Sequence, residues 1–443
     1  MKTTVKWLFI GTAFAGLLAA VAGECRAQDP LSRIKQGISE GKICYKLAEP
    51  EDVKALIGAP QEESQSQDGG MLLLELKYPN ITILFGKMKD EPMPFTLRSI
   101  TAGGERLDIG QNKKLLLRNE GDLKKIDRFY GFQNISLARL DLTNRAELLN
   151  SMSFDTLTEW PENVKLPAGF DPGFLLENHK NPGLGIRALH RKGIDGRGVG
   201  VAVIDQPLLL GHREYTFQIV RYDKSGLLEF PPQMHGSPVT SISVGRDLGV
   251  APAAALTYIA VPMWKNDNLF YIEALKKIFE LNKILPAAEK IRVISISDGA
   301  FPGQPHYEEW KEILRKAESL GILVVTCDRS VLKYGILAAQ PGKDPDDPRN
   351  YRPGKYTWPD DILRIPAGNR TLASFRGNDV YMFDRDGGMS WAAPYIAGLA
   401  ALAFQAAPEI APQRIIQLLI ETATKTDAGP VVNPEGFIKA VKK

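Results

Sequence analysis

The sequence is short of the residues on which several kinds of scaffold and site depend. It has 3 cysteines and 5 histidines in 443 residues. So few cysteines exclude a scaffold held together by many disulfides. The histidines show no metal-ligand spacing such as His-Glu-x-x-His, so we expect no metal site.

Neither sign of charge is in excess. Lys and Arg number 55, Asp and Glu 52, and the formal net charge is +3. Such a balance leaves no strong field to attract nucleic acid or an anionic membrane, so we expect neither as a partner. With 44% hydrophobic and 24% charged residues, the composition is otherwise ordinary for a globular chain of two or three domains.

Long apolar runs are confined to the N-terminus. Residues 1–27 combine Lys2 and Lys6 with the apolar stretch WLFIGTAFAGLLAAVA and end in small residues, a pattern typical of a cleaved signal peptide. No later segment reaches membrane-spanning length, so we expect a secreted or periplasmic protein with no membrane span after signal removal. Cys44 and Cys327 then remain, and their spacing does not reveal whether they form a bridge.

The first half of the chain predicts two different regions. Residues 28–112 are expected to form a small α+β domain, with a helix that opens at Glu49-Pro50-Glu51-Asp52 and ends at Gly58. Its strand candidates are MLLLELKY (71–78), ITILFGKM (81–88) and FTLRSITA (95–102). Residues 113–183 are interpreted as a leucine-rich segment followed, from residue 160, by a linker rich in proline and glycine.

Residues 184–443 predict an α/β domain. Helical periodicity, as in YEEWKEILRKAESLG (307–321), lies between short apolar runs typical of strands buried on both faces. These runs are VGVAVI (199–204), LTYIAV (256–261), RVISIS (292–297) and ILVVTC (322–327). Alternating strands and helices indicate a central parallel sheet covered by helices. In such sheets, sites form at the carboxyl ends of the strands.

Three polar residues are catalytic candidates. Asp205 ends the first strand, His235 lies in QMHGSPVTSISVG, and Ser390 lies in DGGMSWAAPYIAGLAALAFQ. Because proline fits the first turn of a helix, Pro394 predicts that the helix after Ser390 begins at about residues 390–393. Singly, Asp205 could be a turn former and Ser390 a plain N-cap. Together they supply a nucleophile, a base and a carboxylate that orients the base. Their order, Asp then His then Ser, is that of subtilisin and not that of the α/β-hydrolases or the chymotrypsin type.

The chain resembles the subtilisin-like serine peptidases over about residues 184–430. VAVID, HGSPV with GVAP, and GMSWAAPYIAGLAAL are similar to that family's aspartate, histidine and serine motifs. Weaker similarities lie between them, at VISISDG (293–299), RPGKY (352–356) and IPAGNRTLAS (365–374). The resemblance implies a subtilisin-like three-layer α/β fold with a central parallel sheet, preceded by the small α+β domain.

The same resemblance implies roles for particular residues. Asp205 would orient His235, His235 would act as general base and then general acid, and Ser390 would attack the peptide bond to form an acyl-enzyme. Ser297, Asp298 and Gly299 would bind the substrate backbone. A protein or peptide substrate is implied and no cofactor is required. Family members often bind calcium, but no acidic loop here indicates a calcium site.

Several positions depart from the family pattern and indicate an atypical branch. Gln206 and Pro207 follow the aspartate, Pro238 replaces a second histidine, and Met389 precedes the serine. Asp328 falls where most members have the oxyanion asparagine. An alignment one or two residues later puts Arg329 or Ser330 there instead.

The sequence therefore leaves some alternatives open. The main hypothesis is an exported serine endopeptidase, and the alternative is a catalytically weak or inactive subtilisin-fold protein that binds peptides or a partner protein. Cys327 as a Cys–His nucleophile is a weaker rival, because its place at the end of an apolar strand favours a buried role. An esterase is disfavoured by the triad order and by Ala392, where a nucleophile elbow has glycine. Residues 28–183 are either a removable propeptide that inhibits the enzyme, a permanent binding module, or a mixture.

Overall fold

The computed structural model describes residues 29–68, 71–110, 113–226 and 230–443. The expected signal peptide, residues 1–27, therefore lies outside the described residues. Within the described part of the chain, no helix is both long and apolar enough to cross a membrane. The chain divides into two compact units, one made of the described residues up to 115 together with 120–127, the other of residues 116–119 and 128–443.

The first unit is an antiparallel sheet with helices. Its elements are α1 (Pro30–Ser39), α2 (Pro50–Ile57), β1 (Glu62–Asp68), β2 (Met71–Tyr78), β3 (Ile81–Met88), β4 (Thr96–Ala102), β5 (Glu105–Arg106) and, after the short strand β6 (Leu115–Leu116), α3 (Glu120–Leu123). The five strands follow one another in the order β1-β2-β3-β4-β5. Their apolar face packs with α1 and α2 around Val53, Leu76 and Phe85, all of which are buried. The α+β class and the three strands expected here agree with the structure.

The second unit contains the remaining elements. In its first part they are β7 (Ile135–Ser136), α4 (Ala146–Ser151), β8 (Phe154–Asp155), α5 (Pro172–Asn178), α6 (Ile186–Arg191), β9 (Gly200–Asp205), β10 (Ile219–Lys224), α7 (Gly236–Val244), β11 (Ala255–Ala260), α8 (Leu269–Ile284), β12 (Ile291–Ile296), α9 (Tyr307–Ser319) and β13 (Leu323–Thr326). They continue with β14 (Tyr334–Ala339), β15 (Tyr351–Arg352), β16 (Leu363–Gly368), β17 (Arg370–Ala373), β18 (Tyr381–Asp384), α10 (Met389–Ala406), α11 (Pro412–Glu421), β19 (Thr424–Thr426), β20 (Gly429–Val431) and α12 (Pro434–Val441).

A parallel sheet of order β10-β11-β9-β12-β13 forms the middle layer of this unit. Side chains alternate across it, so that Ala202 and Ile204 of β9 pack with α8 and α9 on one face. Helices α7 and α10 pack against the other face. The predicted α/β class with a three-layer arrangement around a parallel sheet is confirmed.

A second sheet, of order β15-β14-β16-β20-β19, and the small antiparallel sheet β17-β18-β8 complete the unit. The antiparallel pair β17 and β18 matters for the site, because β18 leads directly to Gly387 and then to α10.

The structure differs from the linker interpretation of residues 160–183. Asp171 caps α5 by accepting a hydrogen bond from the Phe174 amide at 2.9 Å, and Leu175 and Leu176 of that helix are buried. Proline and glycine in this stretch begin a helix and shape turns within the second unit. A linker is rich in the same residue types, so composition alone does not distinguish the two.

Candidate functional site

The carboxyl ends of β9, β12 and β13 meet at one edge of the parallel sheet, and Asp205 is the last residue of β9. Its side chain is completely buried. One carboxylate oxygen accepts a hydrogen bond from the Gln206 amide at 2.8 Å. The backbone turn after β9 therefore fixes the direction of the carboxylate.

His235 lies immediately before α7 and faces Asp205. Its Nδ1 is 2.8 Å from one carboxylate oxygen of Asp205 and 3.0 Å from the other, and the imidazole is 14% exposed. A glycine must follow, because a Cβ on Gly236 would lie 2.5 Å from the Tyr258 hydroxyl and 2.7 Å from the Gln206 carbonyl oxygen. The His-Gly pair of the sequence motif thus has a steric reason.

Charge around His235 sets its protonation. Burial by itself would lower the pKa of His235, but the negative charge of Asp205, the hydrogen bond to it and the charge of Asp298 together raise that pKa above the ordinary 6.5. Asp205 thus stabilises the imidazolium form. This is the electrostatic setting that a general base needs when it takes a proton from a nucleophile.

Ser390 is the second residue of α10, whose N-terminus is Met389. Its hydroxyl donates to the Ser297 carbonyl at 3.3 Å, and the Ser297 hydroxyl donates in return to the Ser390 carbonyl at 2.9 Å. Two hydrogen bonds therefore join the end of β12 to the start of α10. Neither Ser390 nor any other described residue forms a hydrogen bond with His235 Nε2.

The helix begins slightly earlier than Pro394 suggested. Pro394 is the sixth residue of α10 and lies in the second turn, whereas the sequence put it in the first. In an α-helix, the amide of residue 394 would bond the carbonyl of residue 390, and proline has no amide hydrogen to give. The Ser297 hydroxyl supplies the missing donor to that carbonyl.

Small residues let α10 approach its neighbours closely, as expected. Ala392, Ala393 and Ala397 are fully buried, and a Cβ on Gly398 would lie 2.5 Å from the Cβ of Val250. The close packing of α10 holds the first turn of the helix, and with it Ser390, in a fixed position relative to α7.

Trp391 and Asp384 are two further site residues that were not predicted from the sequence. The Trp391 ring lies against the imidazole of His235, with centroids 5.2 Å apart. Asp384 accepts hydrogen bonds from the Gly387 amide at 2.7 Å and from the Trp391 side chain. The available signal was an aspartate that ends a strand three residues before a pair of glycines. Its partners, however, depend on tertiary folding.

The segment Ser297, Asp298 and Gly299 follows β12, at the same sheet edge. The Asp298 carboxylate accepts hydrogen bonds from the Tyr271 hydroxyl and, at 2.8 Å, from the Gly299 amide. Burial raises the pKa of Asp298, although both hydrogen bonds act to lower it. Tyr271, on α8, was not identified from the sequence.

Asp328 follows β13, and its carboxylate accepts hydrogen bonds from β13, from its own loop and from the segment after β12. It accepts hydrogen bonds from the Thr326 hydroxyl at 2.7 Å, the Ser330 amide at 2.8 Å and the Ala300 amide at 3.2 Å. Within the described chain, no hydrogen bond joins it to Ser390. These contacts favour a structural role for Asp328 over the oxyanion role predicted from the alignment.

The two neighbouring candidates for the oxyanion position also have other surroundings. Arg329 has a left-handed backbone, with φ of 60°, and its guanidinium lies 5.3 Å from the centre of the Trp358 ring. Ser330 is exposed. Neither side chain forms a hydrogen bond with Ser390.

Cys327 is a free thiol next to this loop. Burial, reinforced by the negative charge of Asp298, raises the pKa of Cys327 to about 12, against a lowering hydrogen bond with Ser390. The thiol is therefore protonated at neutral pH and is a poor nucleophile. This disfavours the Cys–His alternative.

Among the described residues, no group of three or more His, Cys, Asp or Glu side chains could hold a metal ion.

Comparison with known proteins gives a family match and several likenesses of fold. Residues 366–437 match the model of the subtilase family of S8 peptidases. No curated protein matches the sequence significantly.

Among solved structures, a chain from the SubAB subtilase cytotoxin assembly is 16% identical, with a TM-score of 0.47; the match covers 60% of this chain and 96% of that one. The A-subunit of the AB5 toxin from E. coli is also 16% identical, with a TM-score of 0.47 over 59% of this chain and 98% of that one. The prenylagaramide maturation protease PagA is 17% identical, with a TM-score of 0.43 over 58% of this chain and 98% of that one.

Likeness at that level does not identify an activity, so the resemblance to the family rests on the matched segment. That segment runs from β16 through the whole of α10 to α12 and includes Ser390. The resemblance to the subtilase family expected from the sequence motifs is thereby confirmed, and the matched residues 366–437 are similar to that family.

Proposed function

We propose that this chain is an exported serine endopeptidase that hydrolyses peptide bonds through Asp205, His235 and Ser390. The observation that carries the proposal is the contact of His235 Nδ1 with both Asp205 oxygens, at 2.8 and 3.0 Å. This contact fixes the imidazole so that Nε2 remains to accept a proton. The ring of Trp391, the residue after Ser390, lies against the same imidazole.

In the proposed reaction, Ser390 Oγ attacks the carbonyl carbon of the scissile bond while its proton passes to His235 Nε2. Asp205 stabilises the imidazolium that forms. His235 then gives the proton to the leaving amine, which leaves an acyl-enzyme on Ser390. A water molecule, deprotonated by His235, hydrolyses the ester and restores the serine.

Ser390 must first leave its hydrogen bond to the Ser297 carbonyl, which lies at 3.3 Å. We propose that the substrate causes this step. An extended peptide beside Ser297 presents a backbone N–H that can bond to the same carbonyl, and the serine hydroxyl is then released to His235. In free enzymes the bond between nucleophile and base is often long or poorly aligned, so its absence here is compatible with catalysis.

The start of α10 also bears on the oxyanion. The first backbone N–H groups of a helix lack partners within it and carry the positive end of the helix dipole. The amide of Ser390 is one of these groups, and it can donate to the negative oxygen of the tetrahedral intermediate. Asp328, as a carboxylate, cannot supply the donor that an asparagine would.

That missing donor favours a second candidate function, a catalytically weak or inactive subtilisin-fold protein that binds peptides or a partner protein. Loss of one oxyanion donor costs serine peptidases roughly 10²–10³ in kcat. Slow hydrolysis would therefore not contradict the endopeptidase proposal, whereas complete absence of turnover with retained peptide binding would favour the alternative.

The test is hydrolysis of an unfolded protein by the wild-type chain and by Ser390→Ala, followed by mass spectrometry of the fragments. Internal cleavages that disappear in Ser390→Ala support the endopeptidase. If neither protein cleaves, peptide binding by both, measured calorimetrically, would establish the alternative.

We also propose that the protein is exported and that its first unit is removed or inhibitory in the precursor. The support is the N-terminal sequence pattern and the separate compactness of the unit. Mass spectrometry of the exported chain tests both points. The wild type should lose the first unit and Ser390→Ala should keep it if processing is autocatalytic, whereas loss of the unit from both would exclude self-processing.

A further inference from the structure

The indole of Trp391 covers one face of the His235 ring. Trp391 is the third residue of α10, directly after Ser390, and it is 6% exposed. The centre of its ring lies 5.2 Å from the centre of the imidazole, and the two ring planes are tilted by 30°. Aromatic rings that stack in proteins have centroids 4.5–7 Å apart, so the two side chains are in contact.

Contacts on the far side hold the indole in this position. The Trp391 amide donates to the Gly388 carbonyl at 3.0 Å, and the Trp391 side chain donates to the carboxylate of Asp384. That carboxylate is fixed in turn by the Gly387 amide at 2.7 Å. A rotation of the indole away from His235 would therefore break its hydrogen bond to Asp384.

Among the groups around His235, Trp391 is uncharged. The negative charges that act on the imidazole come from Asp205, at the end of β9, and from Asp298, after β12. Helix α10 contributes an aromatic face instead. The face of an indole attracts a cation that lies within about 6 Å of the ring centre. The neutral imidazole has no such charge, so this attraction appears when His235 takes up a proton.

The same contact limits rotation of the imidazole. The two Asp205 oxygens hold His235 Nδ1, at 2.8 and 3.0 Å, but the ring can still turn about the line through that contact. A flat indole against the imidazole opposes this rotation, because the edge of the turning ring would collide with it. The direction of Nε2, the atom that accepts the proton of Ser390 in the proposed reaction, is thereby fixed.

We propose that Trp391 is a positioning residue for His235, whose indole fixes the plane of the imidazole and stabilises the imidazolium that forms during the reaction. This role rests on the proposed function, in which His235 is the base. A side chain that only filled space would cover the imidazole equally well but would not favour its charged form.

The pKa of His235 distinguishes these two roles, and NMR of the histidine ring protons measures it. Trp391→Leu keeps an apolar cover but lacks the aromatic face, so the pKa of His235 should fall by about half a unit, with Trp391→Phe between it and the wild type. Trp264→Leu, the control, replaces a tryptophan that is 46% exposed and should leave this pKa unchanged. Loss of cover alone would admit water and raise the pKa of a buried histidine. A rise or no change in Trp391→Leu would therefore overturn the proposal.

Fluorescence tests the contact without the leucine variant, which removes more of the buried side chain. An imidazolium against an indole quenches its emission, so the emission of the wild-type chain should fall as the pH drops through the pKa of His235. The fall should be absent from Trp391→Phe and from His235→Ala, and present in Trp264→Leu. A wild-type chain without this fall, or a fall that persists in Trp391→Phe, would show that the indole does not respond to the charge of His235.

Turnover separates the role of Trp391 from the proposed function itself. In an active peptidase, Trp391→Leu should lower kcat about two- to fivefold and leave KM nearly unchanged, because the imidazolium is present in the transition state and not in bound substrate. Unchanged kcat in Trp391→Leu would overturn the role of the indole and leave the peptidase in place. A wild-type chain without turnover would contradict the peptidase, and the pKa and fluorescence measurements would still decide whether Trp391 stabilises the imidazolium.

Discussion

Ser297 and Ser390 hold each other through two hydrogen bonds, in which each hydroxyl donates to the other residue's carbonyl, at 2.9 and 3.3 Å. One of these bonds replaces a helical hydrogen bond that Pro394 cannot make. The other occupies the hydroxyl that we propose as the nucleophile. The same pair of residues therefore supports the start of α10 and holds the Ser390 hydroxyl in a hydrogen bond that we propose the substrate breaks.

The replacement of the helical bond can be tested by a double-mutant cycle. Ser297→Ala should lower the free energy of unfolding by about 1 kcal/mol, because the Ser390 carbonyl loses its donor. In a Pro394→Ala background the restored amide can serve that carbonyl, so Ser297→Ala should cost less there. Urea unfolding of the four proteins measures the coupling. Additive effects would mean that the hydroxyl does not compensate for the proline.

How far the sequence predicted the fold depended on the type of strand. Strand β9 was recognisable because all of its residues are buried and most are apolar. Strand β1 was missed, since its sequence EESQSQD is fully exposed and becomes a strand only through pairing with β2. A polar edge strand has neither alternation nor β-branched residues to indicate it.

The residues of the candidate site also differ in how far the sequence predicts them. Asp205, His235 and Ser390 could be proposed because their neighbours form recognisable motifs. Tyr271 and Asp384 could not, because their importance comes from the Asp298 carboxylate and the Gly387 amide, which folding brings to them from other elements. The role of Asp328 depended on an alignment across a loop, and its hydrogen bonds favour a different role.

The raised pKa of His235 predicts the acid side of the activity profile. The base must be neutral, so kcat/KM should fall as pH drops through an apparent pKa above 6.5. Asp298→Asn should shift this acid-side fall in kcat/KM to lower pH, because one charge that favours the imidazolium is removed. Asp223→Asn, which removes a carboxylate on β10, should leave the pH of that fall unchanged. If kcat/KM falls at the same pH in wild type and Asp298→Asn, Asp298 does not act on His235.

Replacement of Asp328 separates its two possible roles. Three donors surround the carboxylate, and an asparagine there would turn its amide group towards one of them. We expect Asp328→Asn to unfold more easily in urea, by about 1–3 kcal/mol, and to keep the shape of the pH–rate profile. Higher activity at neutral pH in Asp328→Asn would instead support the oxyanion role.

Asp384 predicts a pH dependence of stability. Burial, opposed by hydrogen bonds from Gly387 and Trp391, raises the pKa of Asp384 to about 6, from 3.8 in the unfolded chain. The folded state therefore favours the neutral acid. The resulting stabilisation is fully present below pH 3.8 and is lost as the pH rises through 6, which lowers the free energy of unfolding by up to about 3 kcal/mol. Asp384→Asn, which stays neutral, should remove this loss. Wild type and Asp384→Asn should then differ in the pH dependence of urea unfolding between pH 4 and 7, and parallel curves would contradict the assignment.

The most direct test of the proposed catalytic residues is whether Ser390 is an activated nucleophile. A fluorophosphonate probe reacts with serines that a neighbouring base activates, and mass spectrometry of the digested protein locates the adduct. We predict one adduct, on the peptide that contains Ser390, absent from Ser390→Ala and strongly reduced in His235→Ala. A folded wild-type chain that remains unlabelled, or an adduct on another residue, would contradict the assignment of Asp205, His235 and Ser390 as the catalytic residues.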